Sequence, residues 1–146
     1  MLLVGTVFAW VTIILDFLRF YNTEGTIFKL EHCIIPNPVT TPCFYGAFAF
    51  ALGLAWAMAI LKKEGDERRK SEKHLAIFLT GGSIFAWTNF LLLAYDFYHT
   101  PIGQGVGCSG VPTSNPFVTP CFVGAVLFLV SLIFSLFILR KDKSSS

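Results

Sequence analysis

Charged side chains are scarce in this chain. They account for 14% of its 146 residues, whereas a soluble domain carries about 25%. Hydrophobic residues make up 54%, and the net charge is only +2. The basic residues do not alternate with aromatic ones, as they would on a nucleic-acid-binding surface. We therefore expect a membrane protein that contacts the lipid bilayer, and we expect no nucleic-acid partner.

The motifs of common enzyme classes are also missing. The sequence has no glycine-rich phosphate-binding loop, no Ser/His/Asp arrangement and no convincing set of metal ligands. Its four cysteines do not form a Cys-x-x-Cys pair. We therefore predict no metal and no cofactor from motifs, and whether the protein is an enzyme stays open.

One segment of the chain occurs twice. Residues 37–47 and 115–125 share eight of eleven amino acids. Besides Cys43 and Cys121, the repeat motif comprises Asn37, Pro38, Thr41, Pro42 and Gly46 in the first copy and Asn115, Pro116, Thr119, Pro120 and Gly124 in the second. Residues 5–10 likewise match residues 82–87. This self-similarity predicts two tandem structural units.

Four apolar runs approach or exceed the roughly 20 residues that a membrane-spanning helix requires. They cover residues 2–21, 43–61, 75–98 and 121–139. We predict an all-α membrane protein, a four-helix bundle made of two tandem helical hairpins in parallel orientation. It forms a single membrane domain over 1–146, with the first repeat at 1–63, a connector at 62–74 and the second repeat at 75–143.

Basic residues are concentrated on one side of these runs. The connector holds six of them, and the C-terminal tail adds Arg140, Lys141 and Lys143. Because Lys and Arg accumulate in cytoplasmic segments, we expect the connector and both termini to be cytoplasmic. The two cysteine-containing loops then lie outside the cytoplasm, and we expect a bacterial or archaeal cell membrane.

Each copy of the motif predicts the start of a helix. Proline is well tolerated at the first helical position, and a preceding threonine hydroxyl can cap free backbone N–H groups. Cys43 and Cys121 would then lie in the first turn of the second and fourth helices. Asp16 lies near the end of the first run, where we expect an interfacial structural role in contact with water or a partner such as Arg19; a role in proton or ion transfer is the alternative.

The cysteines allow two interpretations. Outside the cytoplasm, cysteine pairs commonly form structural disulfides. The repeat favours the bridges Cys33–Cys43 and Cys108–Cys121, although four cysteines allow three connectivities. Alternatively, a cysteine in the first turn of a helix is favoured as a reactive thiolate by the helix dipole. In that case all four cysteines are candidate redox residues.

In its layout of four helices and extracytoplasmic cysteine pairs, the chain resembles the DsbB and vitamin K epoxide reductase families of membrane thiol oxidoreductases. The resemblance implies thiol–disulfide chemistry coupled to a quinone, with Cys43 or Cys121 as the thiol at the top of a helix. Those families use a Cys-x-x-Cys pair, which this chain lacks.

Three functional classes therefore stand. The leading one is a non-enzymatic membrane subunit, scaffold or assembly component that binds another membrane protein or a second copy of itself. The second is a quinone-coupled thiol–disulfide oxidoreductase. The third is a small oligomeric transporter, because parallel repeats occur in that class.

Overall fold

The computed structural model describes residues 1–29, 34–100, 107 and 112–144, which form a bundle of four α-helices. The helices are α1 (Leu2–Glu24), α2 (Pro42–Ile60), α3 (Gly65–His99) and α4 (Pro120–Ser144). All four are long and apolar enough to cross a membrane. The prediction of an all-helical bundle with four candidate membrane spans is thereby confirmed.

Helix α3 begins earlier than its apolar run. It starts at Gly65, so most of the connector predicted at 62–74 is the first part of this helix. Glu, Arg and Lys are good helix formers, and the acidic Asp66 and Glu67 lie in the first turn, where the helix dipole favours them. One turn later, Arg68 Nε donates to Glu72 Oε1 over 2.8 Å. A mixed-charge segment of this kind extends the helix rather than forming a loop.

Two phenylalanine rings lie at the centre of the bundle. Phe50 of α2 and Phe128 of α4 are 1% and 3% exposed, and their ring centroids are 4.0 Å apart. The Phe50 ring lies against Gly5 of α1, where an added Cβ would clash with it. The Phe128 ring lies against Gly82 of α3, and a Cβ there would be 2.7 Å from the ring. Glycine at both positions therefore allows each ring to contact a neighbouring helix backbone.

The outer surface of the bundle is apolar. On α1 alone, the large hydrophobic side chains that are at least half exposed are Leu3, Val4, Val7, Val11, Ile14, Leu15, Leu18 and Tyr21. A soluble protein would not leave such a continuous apolar face in water. This surface fits an integral membrane protein whose helices face lipid.

Candidate functional site

The chain enters α2 and α4 through two similar local structures. A short 3-10 turn precedes each helix, at Pro38–Thr40 and Pro116–Val118. The Asn37 side-chain oxygen accepts from Val39 N over 3.0 Å, and the Asn115 oxygen accepts from Phe117 N over 2.9 Å. Each turn delivers the chain to a proline that begins the helix, so both motif cysteines lie in a first helical turn, as predicted.

The capping role predicted for the threonine hydroxyls is wrong at Thr41, whose side chain makes no cap hydrogen bond to α2. The Thr41 hydroxyl donates to Pro38 O over 2.6 Å, and the Thr119 hydroxyl donates to Pro116 O over the same distance. The backbone carbonyls of the two threonines accept hydrogen bonds from the helices. Phe44 N donates to Thr41 O, and Phe122 N donates to Thr119 O, each over 3.1 Å. Because the 3-10 turn brings a proline carbonyl within reach, each hydroxyl closes that turn instead of capping the helix.

The two motif cysteines meet between the helices. Cys43 Sγ and Cys121 Sγ are 3.7 Å apart. A disulfide bond is about 2.05 Å long, so these sulfur atoms are in contact without being bonded to each other. From the sequence we favoured a disulfide between each of these cysteines and the cysteine of its own loop, and we did not predict this contact. The internal repeat is the sequence feature that could have indicated this contact. If a twofold axis relates two repeats, equivalent residues that lie beside the axis meet each other.

The predicted loop partners, Cys33 and Cys108, lie outside the described residues. The bridges Cys33–Cys43 and Cys108–Cys121 therefore stay a prediction.

An apolar pocket of about 70 Å³ lies beside the two sulfur atoms. Its walls are Pro42 and Gly46 of the first motif, their counterparts Pro120 and Gly124, and side chains of α1 and α3 that include Phe8, Phe85 and Asn89. A cavity that holds benzene has a volume of about 150 Å³. The enclosed part of this pocket is therefore smaller than a cavity that holds one aromatic ring.

Asp16 is 7% exposed and lies on α1. Its Oδ1 is 3.3 Å from Arg19 Nη1, which is one of the partners that the sequence suggested. Its Oδ2 has no hydrogen-bond partner among the described residues. The described residues contain no group of three or more His, Cys, Asp or Glu side chains that could hold a metal ion.

Comparison with known proteins adds no relative to this description. No protein-family model matches the chain, and neither curated proteins nor solved structures gave a significant match.

Proposed function

We propose that this protein is a membrane thiol–disulfide oxidoreductase in which two cysteine pairs exchange electrons through Cys43 and Cys121. The first pair is Cys33 with Cys43, and the second pair is Cys108 with Cys121. The observation that supports the proposal is the 3.7 Å separation between Cys43 Sγ and Cys121 Sγ. Thiol–disulfide exchange requires direct attack of a thiolate on a disulfide sulfur, and this contact needs only a small movement to allow it.

The exchange balances without a further reagent. Starting from a reduced first pair and an oxidised second pair, Cys43 loses its proton, and the resulting thiolate attacks Cys121 Sγ. The Cys108–Cys121 bond breaks, and Cys108 leaves as a thiolate and takes up a proton. Cys33 then loses its proton and attacks Cys43 Sγ, which breaks the Cys43–Cys121 bond and releases the Cys121 thiolate, which is protonated in turn. Two electrons and two protons have moved from the first pair to the second.

The partners of this reaction are thiol couples outside the cytoplasm. A protein dithiol would reduce one pair, and a protein disulfide would reoxidise the other. The family resemblance implies a quinone as acceptor, but the pocket beside the sulfur atoms is smaller than an aromatic ring requires. No step of the exchange is therefore assigned to a quinone.

The proposed topology follows from the charges. With six basic residues in 62–74 and further ones in the tail, the connector and both termini would be cytoplasmic. The two hairpins would be parallel repeats, and the cysteines would face the extracytoplasmic side of a bacterial or archaeal cell membrane. Disulfides persist on that side and are reduced in the cytosol.

The proposal is tested by the reduction potentials of the two pairs. The purified protein is equilibrated in glutathione buffers, and each cysteine is identified by alkylation and mass spectrometry. Structural disulfides have potentials below about −300 mV, whereas catalytic ones lie higher. We expect both pairs to titrate above this value and within about 30 mV of each other, which permits exchange in both directions. If both pairs stay oxidised in buffers poised near −300 mV, the oxidoreductase proposal fails.

A non-enzymatic membrane subunit or scaffold is the second candidate. The small pocket at the cysteines favours it, because an enclosed volume of about 70 Å³ is below that of a cavity that holds one aromatic ring. In this case the disulfides would only hold the two loops against the helix starts. The partner would be another membrane protein or a second copy of the chain, and such a complex would survive extraction in mild detergent.

A further inference from the structure

A larger cavity lies near the opposite end of the bundle from the cysteines. It measures about 550 Å³ and is enclosed by the start of α1, the end of α2, the first half of α3 and the second half of α4. Pockets that bind small molecules usually have volumes of about 300–1,000 Å³. This cavity is therefore large enough to hold part of a ligand, unlike the pocket beside the sulfur atoms.

Two buried polar side chains line this cavity, and one atom of each has no hydrogen-bond partner among the described residues. Glu72 is 6% exposed and Ser131 is 4% exposed. Glu72 Oε1 accepts from Arg68 Nε over 2.8 Å, but Glu72 Oε2 and Ser131 Oγ have no hydrogen-bond partner among the described residues. Buried polar groups are nearly always hydrogen-bonded, so these two atoms are candidates for contacts with a bound ligand.

The rim of the cavity is apolar and exposed. It includes Leu3, Met58, Leu61, Phe134 and Ile138, each between 49% and 77% exposed. In a membrane these side chains face lipid, so a ligand would reach the cavity from the bilayer and keep its hydrocarbon chain against this rim.

We propose that the cavity binds the head group of a lipid that carries a free, uncharged hydroxyl. Glu72 Oε2 can only accept a hydrogen bond, whereas Ser131 Oγ can donate or accept. The chemistry of one hydroxyl group matches both atoms, because a hydroxyl can donate to the carboxylate and accept from the serine. Since Arg68 already pairs with Glu72, an ammonium head group would add an uncompensated positive charge in a buried site, and a phosphate would face the carboxylate. A neutral head group avoids both penalties.

The test uses photoreactive lipids that differ only in their head group. The full chain is reconstituted in phosphatidylcholine nanodiscs and labelled with a long-chain alcohol that carries a diazirine in its chain. The matched methyl ether has the same chain but cannot donate a hydrogen bond, and the matched primary amine carries a charge. We expect saturable labelling of cavity residues by the alcohol, with about tenfold weaker binding of the ether because the bond to a charged acceptor is lost. Competition by diacylglycerol then distinguishes a glycerolipid source from a free long-chain alcohol.

Two variants assign the effect to the cavity. In Glu72→Gln the side-chain amide can donate to an ether oxygen, so the preference for the alcohol should fall to less than about threefold. Glu67→Gln changes an exposed carboxylate on the same helix and should keep the tenfold preference. Equal binding of alcohol and ether to the unmodified protein, tighter binding of the amine, or no labelling of cavity residues would each overturn the proposal, as would an undiminished preference in Glu72→Gln.

Discussion

The contact between Gly5 and the Phe50 ring provides the sharpest test of the bundle. A Cβ at Gly5 would overlap the ring, and a Cβ at Gly82 would be 2.7 Å from the Phe128 ring. Overpacking of this kind destabilises a core by about 1–3 kcal/mol. Alanine also favours a helix over glycine by about 1 kcal/mol, so the raw effect of Gly5→Ala or Gly82→Ala understates the clash.

Two control variants correct for this gain in helix propensity. Gly46 and Gly124 also lie inside helices, and a Cβ at either meets no atom within 4 Å. Both controls gain the same helix propensity without a clash. We therefore expect Gly5→Ala to be about 1–3 kcal/mol less stable than Gly46→Ala, and Gly82→Ala to be less stable than Gly124→Ala by a similar amount.

The assay is unfolding of the purified protein in mixed micelles by a titration with denaturing detergent, followed by tryptophan fluorescence. A double variant, Gly5→Ala with Phe50→Leu, removes the ring that the new methyl group would contact. Residues in direct contact couple by about 0.5–3 kcal/mol, so the double variant should lose less stability than the sum of the losses in the two single variants. Equal effects at Gly5 and Gly46, or additivity in the double variant, would refute the packing described for the centre of the bundle.

Two further predictions concern topology and the loop turns. In intact cells, a membrane-impermeant reagent should reach the loop cysteines after reduction, while a tag at the C-terminus stays protected; an accessible tag would reverse the orientation. Asn37→Ala should lower the free energy of unfolding by about 2 kcal/mol, since it removes both a turn cap and a hydrogen bond to Lys29 O over 3.1 Å. Asn115→Ala, at an exposed position, should lower it by about 1 kcal/mol in the same unfolding titration, and the reverse order would contradict the contacts described.

Hydrophobicity and local turn chemistry accounted for much of the fold. The apolar runs located all four helices, and the Thr-Pro-Cys segments located the starts of α2 and α4 within one residue. The early start of α3 was missed because a charged segment was interpreted as solvated loop. Its residues are helix formers, and the pair Arg68–Glu72 has the spacing that stabilises a helix.

The features that carry the functional proposals depend on contacts between helices. The repeat made Cys43 and Cys121 equivalent, but it did not fix their distance from the axis that would relate the two halves. The burial of Glu72 was also not predictable, because most of its sequence neighbours are charged and its burial depends on packing between helices. Ser131 was visible in sequence as one of two serines in an apolar helix, with no indication of what it faced.

The most direct test of the proposed exchange asks whether Cys43 and Cys121 form a disulfide when their loop partners are removed. The starting protein is the double variant Cys33→Ser with Cys108→Ser. A protease site is inserted after Lys63, in the short break between α2 and α3. After mild oxidation and cleavage, the two halves should stay joined on a non-reducing denaturing gel and separate on reduction. Adding Cys121→Ser should abolish the link. If the halves separate without reduction while both thiols remain open to alkylation, the two sulfur atoms do not come close enough to exchange electrons, and the account of this protein as an oxidoreductase is contradicted.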